Sequence, residues 1–81
     1  MQEVVINTEF IKLDQFLKFA ELVDSGGVAK LFIKEELVRV NSEVCTSRGK
    51  KLHDGDVVEL FVPNDNGDIE EVITCKVISK V

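Results

Sequence analysis

Eighty-one residues leave room for one small domain, 1–81, and a chain of this size buries only about 60–65% of its unfolded surface. Hydrophobic residues make up 44% and charged residues 31%, and ten basic against fifteen acidic side chains set a net charge of −5. No apolar run approaches the ~20 residues that cross a bilayer, and the opening Met1-Gln2-Glu3-Val4-Val5-Ile6 lacks the basic and apolar regions of a secretory signal.

A cytoplasmic, reduced protein with no membrane partner is therefore expected. Cys45 and Cys75 lie thirty residues apart without C-x-x-C spacing, and there is a single histidine. That set cannot complete a four-ligand zinc site, so neither a metal nor another cofactor is expected, and both cysteines read as small strand residues.

In chain order, Glu3–Asn7 is β-branched and reads as a strand, and residues 8–11 as a connector. From Lys12 to Val23 the apolar residues Leu13, Phe16, Leu17, Ala20 and Leu22/Val23 recur at helical spacing. Ser25 fits the N-cap of a second helix over about 26–35, with Ala29, Phe32 and Ile33 on its apolar side. Leu37–Val40 reads as a strand, Asn41-Ser42 as a two-residue turn, and Glu43–Thr46 as the returning strand.

Residues 47–56 read as a loop. Val57–Val62 is a strand ended by Pro63, Asn64–Asp68 a turn, and Glu70–Ser79 the last strand. The order predicts an α+β fold, with two helices packed on a small, mostly antiparallel sheet of four to five strands.

The charge is unevenly distributed. Residues 12–51 carry eight basic and six acidic side chains, whereas the remainder carries two basic and nine acidic. A local basic face is thus compatible with an acidic chain. Lys30 and Lys34 share one helix face, and Arg48-Gly49-Lys50-Lys51 is the densest basic word. Gly26 and Gly27 leave the start of the second helix open to an anion. Each feature also has a plainer use, as a helix–helix turn, a solvated face or a solubilising loop.

The five phenylalanines, Phe10, Phe16, Phe19, Phe32 and Phe61, mostly fall on apolar stripes and are expected in the core. With no Tyr or Trp, no aromatic platform for single-stranded bases is expected. His53 stands beside Asp54 and Asp56, but no nucleophile is linked to the pair, so no catalytic residue is expected. The turn Asp65-Asn66-Gly67-Asp68 lacks the spaced ligands of a calcium loop.

Five words in order carry a resemblance: Lys12-Leu13-Asp14, Ser25-Gly26-Gly27-Val28-Ala29-Lys30, Ile33-Lys34-Glu35, Val38-Arg39-Val40-Asn41 and Leu52-His53-Asp54-Gly55-Asp56-Val57-Val58. Over residues 12 to about 60 the chain resembles the S4 RNA-binding domain, in particular its small stand-alone bacterial members of the YaaA/YbcJ type. The resemblance implies a non-enzymatic protein that binds structured RNA, possible targets including ribosomal RNA, mainly through the backbone.

The positions it implies are Lys12, Gly26, Gly27, Lys30 and Lys34, together with Arg48, Lys50 and Lys51 of the loop. Contacts to phosphate and 2′-hydroxyl, reading shape more than sequence, would follow. Three departures from the family pattern stand out. Lys12 replaces an arginine, Ser25-Gly26-Gly27 replaces Ser-Arg, and the turn is Asn41-Ser42 rather than Asn-Gly; the first two remove bidentate phosphate donors. The alternative is a protein partner, with the acidic residues 54–71, including Glu59, Asp65 and Glu70, serving as an adaptor surface.

Overall fold

The β-branched run at the start forms strand β1 (Gln2–Ile6), with Val4 and Ile6 turned inward and Glu3 and Val5 outward. The computed structural model covers residues 1–81. After β1 come β2 (Phe10–Lys12), α1 (Leu13–Phe19), α2 (Gly26–Lys34), β3 (Val38–Val40), β4 (Glu43–Val44), β5 (Lys51–His53), β6 (Val57–Pro63) and β7 (Ile69–Ser79).

Five strands make one sheet in the order β1-β7-β6-β3-β4, antiparallel except for the parallel pair β1/β7. That pair needs a long crossover, which the intervening helices and strands supply. The α+β architecture and mostly antiparallel sheet agree with the sequence reading.

The inward residues of four strands (Val4, Ile6, Val38, Val40, Val58, Leu60, Cys75 and Val77) pack against Leu13, Phe16 and Leu17 of α1 and Ala29 and Ile33 of α2. Val23 and Leu52 complete the core, in which no polar or charged side chain is buried. The outward side of β3 presents Arg39, whose guanidinium lies 4.7 Å from the centre of the half-buried Phe61 ring. From Val62 to Thr74, β6 and β7 pair only with each other, and the molecule is elongated at 42 × 23 × 22 Å.

Three local expectations are corrected. The connector 8–11 together with Lys12, expected to open the first helix, holds β2, and the loop 47–56 contains β5; the two pair antiparallel as a separate two-stranded ribbon. Each has only three residues and one inward side chain, Ile11 or Leu52, too few to register as a periodicity.

The first helix stops at Phe19 rather than continuing to Val23, because Glu21 enters the left-handed region at φ 58°. Leu22 and Val23 prolong the apolar spacing as a turn, with Val23 buried. Only Phe16 of the five phenylalanines is fully buried; Phe10 and Phe19 are 37% and 56% exposed. Short strands and a clipped helix put these rings at the edges of the core, where part of each ring meets solvent.

Both helices end in the same way. The Leu22 amide donates to the Leu17 carbonyl and the Glu21 amide to Lys18. After α2, Leu37 donates to Phe32 and Glu36 to Ile33. These are Schellman closures with glutamate in the left-handed position that glycine usually takes, Glu36 having φ 63°. The hairpin turn is also left-handed at both residues, Asn41 (φ 52°) and Ser42 (φ 72°), as a type I′ turn requires.

Glu21→Gly and Glu36→Gly are each expected to stabilise the fold by about 0.5–1 kcal/mol, and so to raise Tm by about 2–8 °C. Thermal melts of the two single variants and the double variant check this.

Candidate nucleic-acid interface

Helix α1 follows β2 without a break, and Lys12, at its N-cap position, offers no side-chain cap. Its first amides are satisfied from elsewhere in the chain. Leu13 donates to the Lys50 carbonyl at 2.8 Å and Asp14 to the Arg48 carbonyl at 3.1 Å. The Gln15 amide donates to the Asp14 carboxylate. The basic loop is thus fastened by its carbonyls, and a further bond from the Lys50 amide to Ser47 tightens it. With the backbone held this way, Arg48, Lys50 and Lys51 are all exposed.

Helix α2 begins at Ser25, whose hydroxyl accepts from the Val28 amide at 3.3 Å, as expected. The amides of Gly26 and Gly27 are left without an intrachain acceptor, and the first turn carries no carboxylate. A Cβ added at Gly26 would meet nothing within 4 Å, and one at Gly27 only the Ser25 hydroxyl at 3.8 Å. Neither glycine is demanded by packing. Gly26, Lys30 and Lys34 follow one another at four-residue intervals, along one line of the helix.

The six predicted cations fall into three groups. Lys30, Lys34 and Arg48 share a cleft of ≈ 420 Å³ with Ile33 and Thr46. Lys12 and Lys51 face each other directly across the β2–β5 ribbon. Lys50 lines a separate groove of ≈ 330 Å³ with Val40, Asn41, Glu43, Val44 and Cys45, so it is not brought to the α2 cleft. None of the side-chain hydrogen bonds uses a lysine or arginine head group.

Thr46 joins the cleft without any signal in the sequence. Phe10 joins the basic ribbon instead of the core, with the Lys51 ammonium 4.8 Å from its ring centre.

The carboxylates of the His53–Asp56 turn are occupied by the backbone. Asp56 accepts from the His53 amide at 2.8 Å and from the Asn41 side chain at 3.1 Å. Asp54 accepts from the Ser79 amide at 2.8 Å. Asn41 in turn accepts from the Val57 amide, so this word fastens the ends of β3, β5, β6 and β7 together. No three His, Cys, Asp or Glu side chains gather as a metal-binding group. Cys45 and Cys75 are free thiols; Cys75 is in β7, whereas Cys45 lies just beyond β4. Burial pushes the Cys75 thiol up, away from the reactive thiolate.

A model of the S4 domain family matches residues 4–70. The chain belongs to the S4 domain family. Over 57 residues it is 53% identical to the "Probable ribosome maturation protein RlbA" of Bacillus subtilis (strain 168), covering 70% of this chain and 80% of that protein. Its fold is similar to that of the 30S ribosomal protein S4e from Thermoplasma acidophilum, with a TM-score of 0.50 at 18% identity. That match covers 86% of this S4 chain and 38% of the larger protein.

Two features of this face work against stability. Like charges directly opposite in a ribbon repel, and glycines in the first turn forgo helix propensity. Lys12→Gln, which relieves this repulsion and leaves the Lys51–Phe10 contact in place, is expected to raise Tm by about 1–2 °C at low ionic strength, and by less in high salt. Gly26→Ala with Gly27→Ala is expected to stabilise by a few tenths to about 1 kcal/mol. Thermal melts at low and high salt check the first, and denaturant titrations the second, both read by circular dichroism.

Proposed function

We propose that this S4 domain is a non-enzymatic RNA-binding protein that grips structured RNA, with ribosomal RNA the favoured class, through its backbone. In this reading Lys12, Lys30, Lys34, Arg48, Lys50 and Lys51 supply charge, and the open amides of Gly26 and Gly27 receive a phosphate oxygen at the helix start. The observation that carries it is the fastening of the Arg48 and Lys50 carbonyls to α1. It fixes the backbone from which the loop's cations extend and sets Arg48 beside the lysines of α2.

The family match and the Bacillus subtilis relative, a probable ribosome maturation protein, support the ribosomal direction. The −5 net charge limits non-specific affinity, so shape and placement of phosphates would select the target. No helix is long and apolar enough to cross a membrane.

A second reading, a protein adaptor using residues 54–71, draws on the outer part of the β6–β7 pair, which from Val62 to Thr74 has no other strand beside it and exposes Asp65, Glu70 and Glu71. Asp54 and Asp56 serve it less well, since their carboxylates are held by the fold.

Charge reversal of Arg48, Lys50 and Lys51 together to Glu is expected to abolish RNA binding while the melting transition persists. For the wild type, log K should fall with log salt at a slope of about −3 to −5, from roughly four to six neutralised phosphates. The stabilising Gly26→Ala/Gly27→Ala pair should bind RNA more weakly. Filter binding with RNA recovered by cross-linking in cells reads all three. Binding indifferent to salt and to the charge reversal contradicts the reading, and a nuclease-resistant complex lost on changing Glu70 and Glu71 favours the adaptor.

A further inference from the structure

The outer face of the β2–β5 ribbon gathers four side chains that the backbone-gripping reading leaves only partly used. Phe10 stands directly opposite His53, and Lys12 directly opposite Lys51. The intervening pair, Ile11 and Leu52, turns the other way, with Leu52 wholly buried. The ribbon therefore buries its aliphatic pair and leaves its aromatic pair outside. Phe10 is 37% exposed, and its ring centre lies 6.0 Å from that of His53 at a tilt of 44°.

A single exposed phenylalanine needs no explanation. Here, however, the ring sits in a set of two aromatic and two cationic groups on one short face. One of those cations, the Lys51 ammonium, lies over the Phe10 ring. A flexible ammonium is an exchangeable cover, because an exposed cation–π contact is the weaker interaction and a stacked base the stronger.

We propose that this face is a stacking site for one unpaired nucleotide of the bound RNA. The base takes the face of Phe10 beside His53, and Lys51 and Lys12 engage the flanking phosphates. The chemistry matches on both counts: unpaired bases stack on Phe and His rings, and a phosphate relieves the repulsion between the two opposed lysines. A bulge or loop nucleotide presents such a base, whereas a continuous duplex does not. The site would thus add local selectivity to a grip that otherwise reads backbone shape.

This inference rests on the RNA-binding reading, and its test separates the two. The probes are an RNA hairpin carrying a single bulged 2-aminopurine and the same hairpin fully paired. The wild type is expected to bind the bulged hairpin about tenfold more tightly than the paired one, with a change in 2-aminopurine emission on binding. Phe10→Leu, which keeps an apolar side chain at a half-exposed position, should bind both hairpins equally and leave the emission unmoved.

His53→Ala should cut the preference about threefold. Its fold is protected because the bond to Asp56 comes from the His53 backbone. A bulge preference that survives Phe10→Leu, or a variant that weakens both hairpins equally, overturns the stacking site and leaves the backbone grip standing. Failure of the wild type to bind either hairpin at low salt overturns the RNA reading, and the stacking site with it.

Discussion

Two hydrogen bonds, from the Leu13 and Asp14 amides to the carbonyls of Lys50 and Arg48, hold the architecture of this surface together. A seven-residue helix is too short to persist alone, and α1 has no side-chain N-cap to help it. Its first turn is completed by a loop more than thirty residues further on, as two strands of the β2–β5 ribbon bring that loop into register. Leu13 and Leu52 anchor the arrangement from below, both wholly buried. A loop held by its own carbonyls has a fixed backbone and projecting side chains. Such a loop can carry clustered cations without losing its shape.

The energetic character of the face is consistent with use by a polyanion. Opposed lysines repel, first-turn glycines weaken a helix, and an exposed phenylalanine leaves apolar surface in water. Each is a small local loss, and none is required by a clash or a strained backbone at Gly26 or Gly27. The acidic side chains follow a different logic. Asp54 and Asp56 are spent on strand ends, while Asp65, Asp68, Glu70 and Glu71 sit on a β6–β7 ribbon that shares no pairing with β2 or β5. Net charge alone would have pointed away from nucleic acid; its placement points towards it.

Much of the fold was legible because its signals are local. The Ser25 cap, the Asn41-Ser42 turn, the alternation of Val57–Val62 and the stop at Pro63 each act over a few residues. What escaped depends on distant partners. β2 and β5 become strands only because they meet, and the apolar spacing of Leu22 and Val23 belongs to a turn whose left-handed residue is not a glycine. The interface divides in the same way. The lysines of α2 and the Arg48–Lys51 word stand out in the sequence. The separation of Lys50 from the α2 cleft, the entry of Thr46 and the placement of Phe10 beneath Lys51 follow from tertiary packing.

Amide-resolved NMR titration with the RNA recovered by cross-linking tests the central claim most directly, because it reports on every part of the surface at once. The account predicts that the largest shifts fall on Gly26, Gly27, Lys30, Lys34 and Arg48–Lys51, with residues 62–72 unmoved. Shifts concentrated in the 62–72 ribbon, with the α2 start and the basic loop silent, would contradict it.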